Sequence, residues 1–183
     1  VGYPVKTIPL TQGQVALVDD EDYEFLIGFR WFAYFNSYNW YAVKKNSKRM
    51  HRLIMERIKP GFKGEIDHID GNGLNNQRSN LRIATHSQNL ANKGPQENNT
   101  SGYKGVSWDK EKQKWRAQIQ YRGVISFLGY FDSEIKAAIT YDYAALRLFG
   151  EFARTNFPRE NYAHIKPISD YVGSSSAARG DCS

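Results

Sequence analysis

The chain has 183 residues, with 25 Lys and Arg against 19 Asp and Glu, a formal net charge of +6 and a pI of about 9.3. That length accommodates two small domains, each with a modest core. No apolar run approaches a membrane span, no secretory signal is visible, and the single cysteine, Cys182, excludes an intrachain disulfide framework and suits a reducing interior. The basic excess favours a polyanionic partner, and its mixing with aromatics favours nucleic acid over a membrane.

Residues 1–60 read as a strand-rich region. Residues 8–18 suggest a strand pair around Gly13, and the acids Asp19, Asp20, Glu21 and Asp22 open a helix, placed near the positive end of its dipole. Residues 31–35 and 39–43 suit a hairpin through Asn36-Ser37, and residues 50–56 a helix packing on the segment from residue 61. Lys44, Lys45, Lys48, Arg49 and Arg52 form a basic patch that either grips phosphates or is simply solvated. His51 is expected to be structural.

Residues 65–89 carry the chemistry. Residues 65–69 read as a short strand holding Asp67 and His68. Gly71, Asn72, Gly73, Asn75 and Asn76 tolerate a chain reversal, and residues 81–84 form a second strand that pairs back. Thr85 and Gln88 fit a capping box opening a short helix that stops at Lys93-Gly94-Pro95, with Asn89 one turn in and His86 on the same face. A calcium loop fails, because with Gly71 as the required glycine the first and last ligand positions fall on Ile66 and Gln77. Zinc is unsuited to a chain with one distant cysteine. Asp67 and the Asn89 amide oxygen are hard donors suited to Mg²⁺ or Mn²⁺, and His68, with a reference pKa of about 6.5, suits a general base.

Asp67-His68, Asn80 and Asn89, in that order and spacing, resemble the His-Asn-His (HNH) nucleases, in the subtype ending in Asn. The resemblance implies a ββα-metal (His-Me) finger over residues 61–95. In it Asp67 and Asn89 are metal ligands, one Mg²⁺ or Mn²⁺ is held per finger, and the catalytic residues are His68 and Asn80. The base is His68, and Asn80 orients that His or its loop. Arg78, Arg82 and His86 are secondary candidates for phosphate contact.

After a polar linker, residues 96–101, the pattern restarts. Residues 105–108 are strand-like. In residues 114–120, Trp115, Ala117 and Ile119 alternate with Arg116, Gln118 and Gln120; residues 121–123 turn, and residues 124–130 form a third strand. Asp132-Ser133 caps a helix with an apolar stripe through Ile135, Ala138, Tyr141, Ala145 and Leu148, stopping at Gly150. Tyr103-Lys104-Gly105-Val106, Leu128-Gly129-Tyr130-Phe131, Ala137-Ala138, Tyr141-Asp142 and Asn156-Phe157-Pro158 resemble the APETALA2-type DNA-binding domain over residues 102–158. The resemblance implies that the sheet lies in the major groove, with Lys104, Arg116, Gln118, Gln120 and Arg122 as DNA contacts. Plant members carry arginines where Ser107, Gln120 and Ile125 stand here, and a Trp in place of Phe127, so target preference does not transfer.

The expected fold class is α+β, a ββα-metal nuclease core followed by a three-stranded antiparallel sheet on one helix. The two resemblances together imply a metal-dependent DNA endonuclease of the homing type. Its partner is double-stranded DNA, no obligate protein partner is evident, and it acts in the cytoplasm of a bacterial or phage-infected host cell. The alternative is a sequence-specific DNA-binding regulator with an inactive finger as scaffold. Residues 159–183 read as a tail, disordered from residue 173, and its Arg179-Gly180-Asp181 triplet as fortuitous.

Overall fold

Apolar alternation near the N-terminus forms a hairpin in the computed structural model, which describes residues 4–95 and 98–167. Strand β1 (Val5–Pro9) pairs antiparallel with β2 (Val15–Asp19), turning through Gly13 at a φ of +68°. Helix α1 (Asp20–Ile27) follows at once, with Asp20, Glu21 and Asp22 in its first turn, where the amides have no partner within the helix. Strands β3 (Trp31–Phe35) and β4 (Trp40–Lys44) make the second expected hairpin. In its turn the Asn36 side-chain oxygen accepts the amides of Tyr38 and Asn39. A two-residue strand, β5 (Lys48–Arg49), extends this sheet, and α2 (Met50–Ile58) buries Met50, His51, Leu53, Ile54 and Met55.

Strands β6 (Glu65–His68) and β7 (Leu81–Ala84) pair antiparallel, with Asp67 opposite Arg82 and His68 opposite Leu81. β6 ends one residue earlier than expected: the Gly71 amide bonds back to the His68 carbonyl at 2.8 Å, and Ile69 is left exposed. Helix α3 (His86–Asn92) starts at the expected capping box, in which Thr85 N donates to Gln88 Oε1 at 2.7 Å and Gln88 N to Thr85 Oγ1 at 3.3 Å. One apolar core joins β1 to β4, β6, β7, α1 and α2, from Ile8 and Val18 through Leu26 and Ile54 to Ile66, Leu74 and Leu81. Leu26 and Ile54 are fully buried, each contributing about 2–3 kcal/mol of apolar burial. The N-terminal region and the hairpin are therefore one unit, ending at Asn89.

The second unit begins at Leu90. Its sheet has the order β10-β9-β8, from β8 (Val106–Asp109), β9 (Lys114–Tyr121) and β10 (Val124–Phe131). Helix α4 (Glu134–Phe149) is capped by Ser133. Ala117 and Ile119 are buried on the helix side of β9, and Trp115 packs beside them. The helix stripe differs from the expected one: Ile135 is exposed, and Ala137, Ala138, Tyr141, Asp142, Ala145 and Leu146 are buried. Tyr141, common to the expected and observed stripes, seats against Gly105, where a Cβ would lie 2.1 Å from the tyrosine ring. Asp142 is fully buried and accepts bonds from the Asn156 and Phe157 amides, the Asn156 side chain and the Tyr162 hydroxyl. Ordered structure therefore runs past residue 158, with Tyr162 in the core and Ile165 packed on it. The expected tail from residue 173, its Arg-Gly-Asp triplet and Cys182 lie outside the described residues. Among the described residues, no helix is long and apolar enough to cross a membrane.

Candidate active site and nucleic-acid face

Strand pleating sends Glu65 and Asp67 to one side of β6 and Ile66 and His68 to the other. On the first side, Glu65 meets the helix: Asn89 Nδ2 donates to Glu65 Oε2 at 2.6 Å, and His86 Nδ1 lies 3.0 Å from Glu65 Oε1. The bond from Asn89 holds the Glu65 carboxyl below its ordinary range. Asp67, two residues along, is buried, and Arg82 donates to its Oδ2 from Nε at 2.9 Å and from Nη2 at 2.7 Å. Glu65, Asp67, Arg82, His86 and Asn89 thus gather about one face of the hairpin. Glu65 was missed by sequence reasoning, although its spacing of two from Asp67 on a strand was the available signal.

His68 does not join that face. Its ring packs edge-on against His51 at 4.9 Å and Tyr41 at 6.0 Å, and its Nε2 lies 3.4 Å from Asn76 Oδ1. Burial pushes the His68 imidazole below its ordinary value, against the opposing pull of Asn76, Asp70 and Asp67. His51 is driven well below it, first by burial and then by His68, Arg49 and Arg52. Both rings therefore favour the neutral state.

Asn80 closes the loop between the strands. It donates to Asp70 Oδ1 at 2.9 Å and to the Asn75 carbonyl at 2.8 Å, and its own oxygen accepts the Asp70 amide at 3.0 Å. Burial works to raise the Asp70 carboxyl, but hydrogen bonds from Asn72, Asn75 and Asn80 outweigh it and leave it below its ordinary value. Gly73 lets the loop settle on β4, since a Cβ there would sit 2.5 Å from the Trp40 carbonyl oxygen. Loop and strand β2 are tied by Leu17 N to the Leu74 carbonyl and Asn76 N to the Leu17 carbonyl, each 2.8 Å.

Two expected contact residues are committed elsewhere. Arg78 is turned to α1: its Nε and Nη2 fork onto the buried Asp22 at 2.7 and 2.9 Å, and Nη1 reaches Glu21 at 2.8 Å. It is a strut between helix and loop rather than an open phosphate clamp. Asp19, Glu21 and Asp22 lie close enough together to share a cation, but Arg78 already supplies their counter-charge. Lys104 donates through its ammonium to the carbonyls of Leu90 and Ala91, and burial lowers its pKa to about 8. It caps a helix end instead of lying on the sheet.

The uncovered sheet face carries the other expected contacts. Arg116 stands opposite Ser107 on one side and Tyr130 on the other, Gln118 opposite Phe127, and Gln120 opposite Ile125. Arg122 is exposed in the β9–β10 turn, at a φ of +50°, with its guanidinium over the Tyr121 ring.

Residues 48–91 match the family described as HNH endonuclease. Over 90 residues, 49% of this chain and 73% of the relative, the chain is 39% identical to Protein 3.8 of Escherichia phage T7. It is 35% identical over 132 residues, 66% of this chain and 68% of the other, to the Uncharacterized HNH endonuclease L560 of Acanthamoeba polyphaga mimivirus. The Dehydration-responsive element-binding protein 2D of Arabidopsis thaliana is 32% identical over 99 residues, and there the chain spans about half of that protein, 48%. No solved structure matches.

Proposed function

The chain belongs to the HNH endonuclease family and carries an APETALA2-like element, and we propose that it is a metal-dependent, site-selective DNA endonuclease of the homing type. The observation that carries this reading is the gathering of Glu65, Asp67, His86 and Asn89 on one face of a hairpin–helix unit. Two carboxylates and an amide are hard oxygen donors, a set that fits Mg²⁺ or Mn²⁺ better than softer ions. Asp67 and Asn89 would hold the ion, with Glu65 beside them. When bound, one ion per finger supplies charge stabilisation at the scissile phosphate and at the leaving 3′ oxygen.

The chain's own groups have distinct roles in this reading. His68 is the base that the motif assigns: it lies on the other side of β6 from Asp67, and its buried imidazole favours the neutral state that a base requires. Asn80 holds the loop that begins at His68. Arg82, forked onto Asp67, holds that carboxylate in place on the face of the hairpin. The second unit grips the duplex through Arg116, Gln118, Gln120 and Arg122. One finger cuts one strand, so a double-strand break requires two fingers.

A second assignment of the base is favoured by one observation: His86, not His68, shares the face of Asp67, and it is largely exposed beside Glu65. Cleavage of supercoiled plasmid with Mg²⁺ or Mn²⁺ separates the two. We expect EDTA and Asp67→Ala to abolish turnover with binding retained, and His68→Ala to lower it by at least about 100-fold. Full activity in His68→Ala with loss in His86→Ala would transfer the role to His86. Full activity with EDTA would overturn the reading.

A further inference from the structure

Helix α4 covers one face of the β8–β10 sheet, with Ala117 and Ile119 buried beneath it. Opposed residues of an antiparallel pair project to the same side, so the Gln118–Phe127 and Gln120–Ile125 couples both stand on the uncovered face. Phe127 is 58% exposed and Ile125 61%. An exposed apolar row of this kind marks a contact surface. Phe127 is not loose: its ring packs on Tyr130 at 4.9 Å, and the Tyr130 hydroxyl donates to Asp109 at 3.0 Å. Arg116 lies in the next row and Arg122 in the adjoining turn, so the apolar row is flanked by cations. Such a surface suits a polyanion that also offers apolar groups.

We infer that the Gln118–Phe127 and Gln120–Ile125 couples make this module selective for A·T base pairs of B-form DNA, each glutamine reading adenine and each apolar partner the thymine methyl of the same pair. The inference rests on the proposed duplex-binding role of this sheet and goes further by assigning its specificity. In the major groove, adenine offers N7 and N6 to a bidentate amide while thymine offers its C5-methyl; a G·C pair has no methyl, and guanine is matched by Arg or Lys, neither of which stands in these two rows. The dimensions agree. Opposed Cα atoms are about 5 Å apart, within one base pair's width, and successive rows repeat about every 6.8 Å, twice the 3.4 Å step of a DNA strand. The two couples therefore address two A·T pairs separated by one intervening pair.

The test is selection of bound duplexes from a randomised pool by the full chain in EDTA, followed by replacing thymine with uracil in the selected duplex. The expected result is enrichment of two A·T pairs one pair apart. Losing the methyls should weaken binding about fourfold each, or about 15-fold together. Phe127→Ala combined with Ile125→Ala, a change at two exposed positions, should bind thymine and uracil duplexes equally. Equal binding of both by the unaltered chain, enrichment of G·C or of nothing, or a double variant that still distinguishes thymine would each overturn the inference while leaving duplex binding in place. Failure to retain any duplex would overturn the underlying role of the sheet. If the double variant changes only the sedimenting mass, the row contacts a second copy of the chain, and the inference falls.

Discussion

Asn80→Ala should collapse the loop that joins strands β6 and β7. The substitution removes two bonds to neutral backbone groups, with the Asp70 amide and the Asn75 carbonyl, and one to the Asp70 carboxylate. Neutral bonds contribute about 1 kcal/mol each, and a charged one about 1.5–3 kcal/mol. Asp70 is partly open to water, which recovers some of the charged bond, so the net loss is about 2–4 kcal/mol. That is a large share of the roughly 5–15 kcal/mol that holds a domain folded. Urea unfolding should register it, and amide exchange should quicken first at Ile69, Asp70 and Asn80, whose N–H groups are bonded within this loop. Plasmid cleavage should fall in parallel, because the loop begins at His68. An unfolding free energy within about 0.5 kcal/mol of the parent, the usual spread for surface substitutions, together with unchanged exchange, would refute the claim that Asn80 holds the loop.

Other consequences can be measured independently. Arg78→Ala should destabilise the first unit by about 2–4 kcal/mol in urea titrations, since it strips the bidentate partner from the buried Asp22 and leaves Arg57 at 3.4 Å; a change under about 0.5 kcal/mol would show the strut to be dispensable. Burial depresses the His51 and His68 imidazoles in the folded chain, whereas in the unfolded chain they titrate near the ordinary value of about 6.5. The unfolded state therefore binds more protons between the two values. Their contribution to stability is full above about pH 6.5 and is lost as pH falls toward the depressed values, so the urea midpoint should drop on acidification and His51→Phe should flatten that drop. Arg116→Ala should weaken duplex binding and reduce the slope of log affinity against log salt by about one; an unaltered slope would remove Arg116 from the interface.

Much of the fold could be read from local pattern. Gly13, Asn36 and the Thr85–Gln88 box each dictate a turn or helix start from neighbouring residues alone, and each lies where expected. Strand alternation likewise assigned Ala117 and Ile119 to the core and Gln118 and Gln120 away from it. What escaped depends on partners distant in sequence. Arg78 was available for phosphate until α1, 56 residues earlier, placed Asp22 under it. The charge of Lys104 was drawn to carbonyls of Leu90 and Ala91 that no strand register reveals. The helix stripe missed Ala137 because its burial depends on packing with Val106 and Ala117 of the sheet, which helical spacing alone does not show. At the candidate site, the strand period alone separates Asp67 from His68 across β6, but the Glu65 bridge to Asn89 and His86 required the folded hairpin.

Strand β10 closes one border of its sheet, so among the described residues the backbone groups along its outer rim have no neighbouring strand. A flat rim bearing Val124, Ile125 and Phe127 would template pairing with any other extended chain. The register break between Phe127 and Gly129 interrupts that rim midway, as a bulge that twists the strand and spoils an incoming partner's alignment. The same irregularity leaves the apolar side chains presented yet denies them a continuous ladder, so the chain can keep a sticky surface without becoming a seed for aggregates.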